Sequence, residues 1–349
     1  MNLLPSFTSE WFRTRVVFGV GAIDRLAAEL DALGLARALL IVTRGRANDL
    51  TWLRSRLGSR IVDVCDGAAL HVPIERVRAA LQLADRANPQ ALLAVGGGSA
   101  IGLAKAIALE RPWPIVAVPT TYAGSEMTSV WGITEGATKR TGRTAAVAPR
   151  VVVYDPALTL PLPADVSAAS GMNAIAHAVE AMYAAEASPI ALAAADDALR
   201  SLSRALPAVV ARPDSIDART LALRGAHAAG VALELAAMGL HHKICHVLGG
   251  TFGLPHAPTH AAMLPRVVAF NTPAAPVAMT RIAEALGADD AAIGLAALSR
   301  SLGLTSSLRA LGFDPTDVDR AAKLITDLPY RNPRTASFED VRDLLRNAL

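Results

Sequence analysis

Residues 92–109, LLAVGGGSAIGLAKAIAL, pass from an unbroken apolar run through three glycines and a serine into an alanine-rich helical segment. An apolar run of that length fits a strand buried on both faces, as in a parallel sheet covered by helices. Glycine permits positive φ and lets backbone N–H groups come close to a phosphate, and the helix N-terminus adds a favourable dipole. Gly97, Gly98 and Ser99 are therefore candidate pyrophosphate binders. The spacing departs from G-x-G-x-x-G, because Ile101 holds the last glycine's place, and a bare strand-to-helix turn is the alternative. A second segment, VPTTYAGSEMTS at 118–129, favours the phosphate reading, since it is a strand end rich in hydroxyl and small residues.

Working outward, four more β-rich runs stand around the glycines: ALLIVT at 38–43, IVDVCDG at 61–67, PIVAVPTT at 114–121 and VVVYDP at 151–156. Helical stretches alternate with them, which predicts a doubly wound α/β dinucleotide-binding domain. In such sheets ligands sit beyond the carboxyl ends of the strands. Thr43, Thr120, Thr121 and Ser125 join the cofactor candidates on that ground. Arg44 and Arg46 follow the first of these strands, where an acidic residue would select NAD, so NADPH is expected to be tolerated alongside NADH. Solvated surface arginines are the other reading of that pair.

After Pro156, Pro161 and Pro163 the pattern changes to helical periodicity over 171–186, 189–210, 217–237 and 276–312. The expected organisation is an α/β domain over 1–157 and an all-α domain over 158–349. At 52% hydrophobic and 19% charged residues the chain is a compact globule, not a disordered one. The 34 basic and 31 acidic residues are interspersed and leave a net charge of +3, which argues against a nucleic-acid partner. Two cysteines, Cys65 and Cys245, fit a reducing compartment. No stretch of about 18 apolar residues predicts a membrane span, and the expectation is a cytoplasmic protein with no membrane partner.

Five of the eight histidines lie in HHKICHVLGGTFGLPHAPTH at 241–260. Helical spacing puts His242 and His246 on one face, with His256 arriving after a glycine-proline connection. His241 is expected to face away from His242. Several imidazoles together are costly to bury without a polar task. Upstream, Asn173 and His177 stand four apart in GMNAIAHAVEAMY and share a helix face.

Taken in order, GGGSAIGLAKAIAL, VPTTYAGSEMTSVWGIT, KRTGR, YDPALTLPLP, GMNAIAHAVEAMY and HHKICHVLGGTFGLPHAPTHA resemble the iron-containing alcohol dehydrogenase superfamily, and within it the maleylacetate reductases. The resemblance spans roughly residues 10 to 270. It implies an α/β dinucleotide-binding domain, a helical domain, an active site in the cleft between them, and a homodimer. The superfamily's metal-dependent members hold a divalent ion at the positions of Asn173, His177, His242 and His256, with aspartate where this chain has Asn173. A neutral amide removes the charged oxygen ligand and weakens any hold on iron or manganese. The resemblance therefore implies no required metal. If one were bound, His177, His242 and His256 would be its ligands.

The activity so implied is NAD(P)H-dependent reduction of the enone C=C of maleylacetate, a dicarboxylate, to 3-oxoadipate in the degradation of aromatic compounds. Hydride addition β to the ketone would leave an enolate, and imidazoles suit both its stabilisation and its protonation. His246 is the expected leading proton donor, helped by His242 and His256, with His177 orienting substrate. Asn173, Lys243 and Tyr122 are candidate substrate contacts, and Lys105 is expected to support the pyrophosphate region. A metal-dependent alcohol or polyol dehydrogenase on the same fold is one alternative. A nucleotide-binding sensor without catalysis is another.

Overall fold

The computed structural model describes residues 14–43, 45, 50–136, 138–327 and 329–349. The chain divides into two compact units at Leu162 and Pro163. In the first, six strands form one parallel sheet: β1 (Arg15–Phe18), β2 (Ala38–Thr43), β3 (Ile61–Ala68), β4 (Ala91–Gly96), β5 (Ile115–Pro119) and, after a hairpin of β6 (Val130–Glu135) and β7 (Thr138–Arg143), β8 (Val151–Tyr154). Their order is β1-β8-β5-β4-β2-β3, and every pairing is parallel. The chain steps outward from β2 to β3, then returns to start β4 on the other side of β2. The order of travel thus reverses between β2 and β4, the kind of place where α/β sheets bind ligands.

β4, β5 and β8 are buried along their whole length and β2 along all but its last residue, as apolar runs predict. β3 is half exposed because it is an edge strand. β1, the other edge, and the β6–β7 hairpin were not anticipated. Four helices, α1 (Leu26–Ala32), α2 (Thr51–Leu57), α3 (Ile74–Ala87) and α4 (Gly98–Glu110), accompany this sheet. α4 is buried from Ala100 to Ala108 except at Gly102, where a Cβ would overlap Val72.

The second unit is helical: α5 (Ala164–Tyr183), α6 (Pro189–Ala211), α7 (Ile216–Leu235), α8 (Leu240–Phe252), α9 (His256–Asn271), α10 (Pro276–Leu286), α11 (Ala291–Ser301), α12 (Val318–Thr326) and α13 (Phe338–Arg346). The helical stretch expected over 276–312 is two helices. Gly287, at φ +67°, ends α10, and the Asp290 side chain accepts from the Ile293 N–H to cap α11. Among the described residues no single helix is long and apolar enough to cross a membrane.

α5 is buried from Ser167 to Tyr183 and packs on α6, α7, α9 and α10. Alanine and glycine on its faces let the backbones come close. At Gly171 a Cβ would collide with the fully buried Leu206 of α6, and at Gly225 of α7 one would meet Leu202 Cγ at 2.7 Å. A Gly171→Ala substitution should therefore overpack the α5–α6 contact and cost roughly 1–3 kcal/mol. Chemical denaturation compared with wild type checks this, and unchanged stability would show that Leu206 has room to move.

Candidate active site

α5 presents Asn173, His177 and Glu180 at spacings of four and three, so they share one helix face, and all three are buried. α8 contributes His241, His242 and His246, and α9 contributes His256 and His260. Glu180 organises the group. Its Oε1 accepts from the His241 N–H at 2.9 Å, and its Oε2 accepts from the Gly239 N–H at 3.0 Å and lies 2.6 Å from His242 Nδ1. Backbone N–H groups at a helix start have no partner inside the helix. Gly239, the N-cap residue of α8, has no side chain to serve them, and a carboxylate from α5 does so instead.

Glycine at 239 is also a steric requirement. A Cβ there would lie 2.7 Å from Arg331 O, 3.1 Å from Asn332 Oδ1 and 3.2 Å from Glu180 Oε1. Burial pushes the Glu180 carboxyl up, but the hydrogen bond from His242, the electrostatic pull of the His242 and His241 rings and the Gly239 N–H outweigh it. The net direction is down.

The imidazoles form one continuous group. His177 stacks on His242 with centroids 5.0 Å apart, His242 lies 4.8 Å from His260 and 6.0 Å from His246, and His256 lies 4.5 Å from His260 and 6.4 Å from His246. His246 and His256 are half-buried, whereas His177, His241, His242 and His260 are buried. Burial first, and the neighbouring rings after it, hold the His177 and His260 imidazoles well below their ordinary value. Burial likewise lowers His241 to about 3 against an opposing pull from Glu180. Asn173 Oδ1, His177 Nδ1, His242 Nε2 and His260 Nε2 have no hydrogen-bond partner among the described residues.

His241 departs from expectation. Its ring is fully buried, 5.5 Å from that of His242, and its Nε2 is 2.9 Å from His260 Nδ1. The start of α8 is enclosed on most sides, with Leu240 to His242, Ile244 and Cys245 buried and Lys243 on the partly open side, so His241 turns inward to His260. Lys243 is half-buried, its ammonium pushed down by burial against the opposing charge of Asp327. Glu180 was not singled out from the sequence. The signal was present: a carboxylate three residues after His177 in an otherwise alanine-rich, apolar helix.

In the sheet unit, most of the cofactor candidates gather at one turn. A Cβ on Gly96, whose φ is +149°, would lie 3.1 Å from Ala100 Cβ and 3.4 Å from Thr43 Oγ1. One on Gly97 would lie 2.8 Å from Thr121 Cγ2 and Oγ1, and one on Gly98 3.9 Å from Ser125 Oγ. The Thr120 N–H donates to Gly96 O at 3.0 Å, which ties the two strand ends together. Gly98 is exposed, Ser99 is half-buried at the start of α4, and Ser125 Oγ is buried with no hydrogen-bond partner among the described residues. Tyr122, in the same segment, is fully buried. Arg44 and Arg46 lie outside the described residues. Lys105 acts as a brace. Its buried ammonium donates to Ser125 O, Thr128 O, Thr128 Oγ1 and Val130 O at 2.7–2.9 Å, fixing the segment that follows Thr121.

Residues 13–156 match the family described as iron-containing alcohol dehydrogenase, and residues 167–349 match the C-terminal part of the Fe-containing alcohol dehydrogenase family. The chain belongs to the iron-containing alcohol dehydrogenase family. Maleylacetate reductase 2 of Cupriavidus pinatubonensis is 47% identical over 99% of this chain and 97% of its own. Among solved structures, the maleylacetate reductase of a Rhizobium strain superposes with a TM-score of 0.93 at 41% identity, covering 99% of this chain and 98% of that one. The iron-containing alcohol dehydrogenase of Corynebacterium glutamicum superposes with a TM-score of 0.92 at 41% identity, covering 99% and 97%. A member of this family so close to named reductases is an oxidoreductase enzyme.

The buried imidazoles predict how stability follows pH. His177, His241 and His260 have folded values below the unfolded value of about 6.5, so the unfolded chain takes up protons first as pH falls. Their contribution is fully present above about pH 6.5 and is lost on acidification below it. For His241, with a folded value of about 3, the loss at about pH 5 is roughly 2 kcal/mol. Thermal melts across that range should show the decline, and a smaller one in His241→Gln. A flat profile would mean that the rings are not buried neutral.

Proposed function

We propose that this oxidoreductase reduces the enone C=C of maleylacetate to 3-oxoadipate, as a step in the breakdown of aromatic compounds, using NADH or NADPH and no required metal. The observation that carries the reading is the set of buried, unpartnered polar atoms on Asn173, His177, His242 and His260 beside the half-buried His246 and His256, in a chain so similar to proteins named maleylacetate reductase. The reading includes the cytoplasmic setting and the homodimer implied by the resemblance.

The glycine turn fits the pyrophosphate of a dinucleotide, since Gly97 leaves no room for a side chain and Ser125 Oγ has no partner among the described residues. NAD(P)H would supply hydride to the alkene carbon β to the ketone. Thr43, Gly97, Gly98, Ser99, Thr120, Thr121 and Ser125 would hold it, with Arg44 available to a ribose phosphate. His246 would hold a hydrogen bond on the enolate oxygen and return a proton to the α carbon, helped by His242 and His256. His177 and Asn173 would orient the substrate, with Tyr122 and Lys243 the further contacts. A Gly97→Ala substitution should overpack Thr121 by roughly 1–3 kcal/mol and weaken NADPH binding about tenfold or more, read by fluorescence titration. Unchanged affinity would remove the cofactor from that turn.

A hard divalent ion such as iron or manganese is poorly served by the residues at the family's metal positions, although three histidines could hold zinc. Asn173 offers a neutral oxygen, and His177, His242 and His256 supply no charge, a poor donor set for a hard ion. Among the described residues, the histidine, cysteine or carboxylate trio whose ligand atoms converge is instead His241, Cys245 and His260, and two of these are in hydrogen-bonding contact with each other. Two measurements test the proposal. Chelator-treated protein should oxidise NADPH with maleylacetate at the untreated rate, whereas lost activity restored by Fe²⁺ or Zn²⁺ would refute the metal-free reading. His246→Ala should lower turnover by at least about 100-fold with NADPH binding intact, and near-wild-type turnover would end that assignment.

A further inference from the structure

We infer that Glu180 is a positioning residue for the reaction, one that fixes the tautomer and ring orientation of His242 through the same carboxylate that starts α8. The inference rests on the proposed use of His242 in reduction, and the geometry that carries it lies within the helical unit.

Both oxygens of Glu180 are engaged by backbone donors. Oε2 receives the Gly239 N–H at 3.0 Å and the His242 N–H at 3.4 Å, and Oε1 receives the His241 N–H at 2.9 Å, with the Tyr183 hydroxyl a further 3.3 Å contact. Backbone N–H groups can only donate, so each carboxyl oxygen is an acceptor here. His242 Nδ1, 2.6 Å from Oε2, must then carry the hydrogen in that contact. The rotation of the ring about its own axis is fixed with it. Nε2 faces the other histidines with no hydrogen-bond partner among the described residues and, in the neutral ring, it presents a lone pair.

This divides the labour among the imidazoles. With its Nδ1–H tied to Glu180, His242 turns Nε2 towards the other rings, where it serves as a relay or hydrogen-bond partner behind the ring that donates. His246, 6.0 Å from His242 and half-buried, is the ring that the proposed function gives the donor's part. Without the carboxylate, His242 would sample both tautomers and a wider range of ring angles. Oriented second partners of functional histidines are commonly worth about 10–100-fold in activity.

The test separates positioning from mere helix capping. Glu180→Gln retains an acceptor and the side-chain volume, and Glu180→Ala removes both. Histidine-¹⁵N NMR of the full chain, with His242 assigned by its loss in His242→Asn, should show the Nδ1–H tautomer alone in wild type and a mixture in Glu180→Gln. Turnover of maleylacetate should fall about 10–100-fold in Glu180→Gln, with NADPH affinity and KM nearly unchanged. In a His242→Asn background the same substitution should cost little more, because the residue through which Glu180 acts is gone.

An equal loss in both backgrounds would reduce Glu180 to a structural cap and overturn the inference. So would an unaltered His242 nitrogen pattern in both Glu180 variants. The NMR arm needs no substrate. A wild-type protein inactive on maleylacetate would therefore sink the substrate reading, while the tautomer measurement still decides the role of Glu180.

Discussion

A carboxylate out of reach of water has to be surrounded by donors, and the helical unit is arranged around meeting that demand at Glu180. An unpaired buried charge would cost several kcal/mol. α8 meets it by beginning where its free N–H groups and the positive end of its dipole face the carboxylate, and His242 follows one turn in. The rest of the histidine group inherits its place from that start. His241 reaches His260, His246 comes one turn after His242, and α9 brings His256 and His260 in from the next helix.

A second constraint is that several imidazoles can share a dry space only if most are uncharged. Neighbouring rings lower one another's affinity for protons in addition to the effect of burial, which is the direction found at His177 and His260. The same crowding leaves ring nitrogens without protein partners. Such atoms are unfavourable in a purely structural core and useful where a substrate brings its own oxygens.

Much of this could be read from the sequence. The apolar runs at 38–43, 91–96, 115–119 and 151–154 gave away strands buried on both faces, and the glycine triplet lies at the point where the chain's direction across the sheet reverses. β1 escaped because four residues on an edge, RVVF, carry too little pattern. The hairpin escaped because TKRTGR has no apolar face. Lys105 is expected to support the pyrophosphate region, and its ammonium braces the segment after Thr121, since a lysine on a buried helix has to find oxygens inside and the carbonyls of 125, 128 and 130 supply them. His241 is hard to place from spacing for a related reason: a residue next to His242 in sequence can still meet the same group of rings when another helix, here α9 with His260, packs against that side. Glu180 was within reach of the same spacing argument that paired Asn173 with His177.

The tight fit at Gly239 ties the far end of the sequence to the histidines. Arg331 O and Asn332 Oδ1 stand 2.7 and 3.1 Å from where a Cβ would be, and Asn332 also exchanges hydrogen bonds with Asn271 at the end of α9. The 331–332 segment, which no motif marked, is thus part of the wall that keeps water from Glu180. A carboxylate that water could reach would no longer need His242 as its partner. The chemistry of a helix near residue 240 thereby depends on a turn some ninety residues later, and changes there can alter the enzyme without touching a histidine.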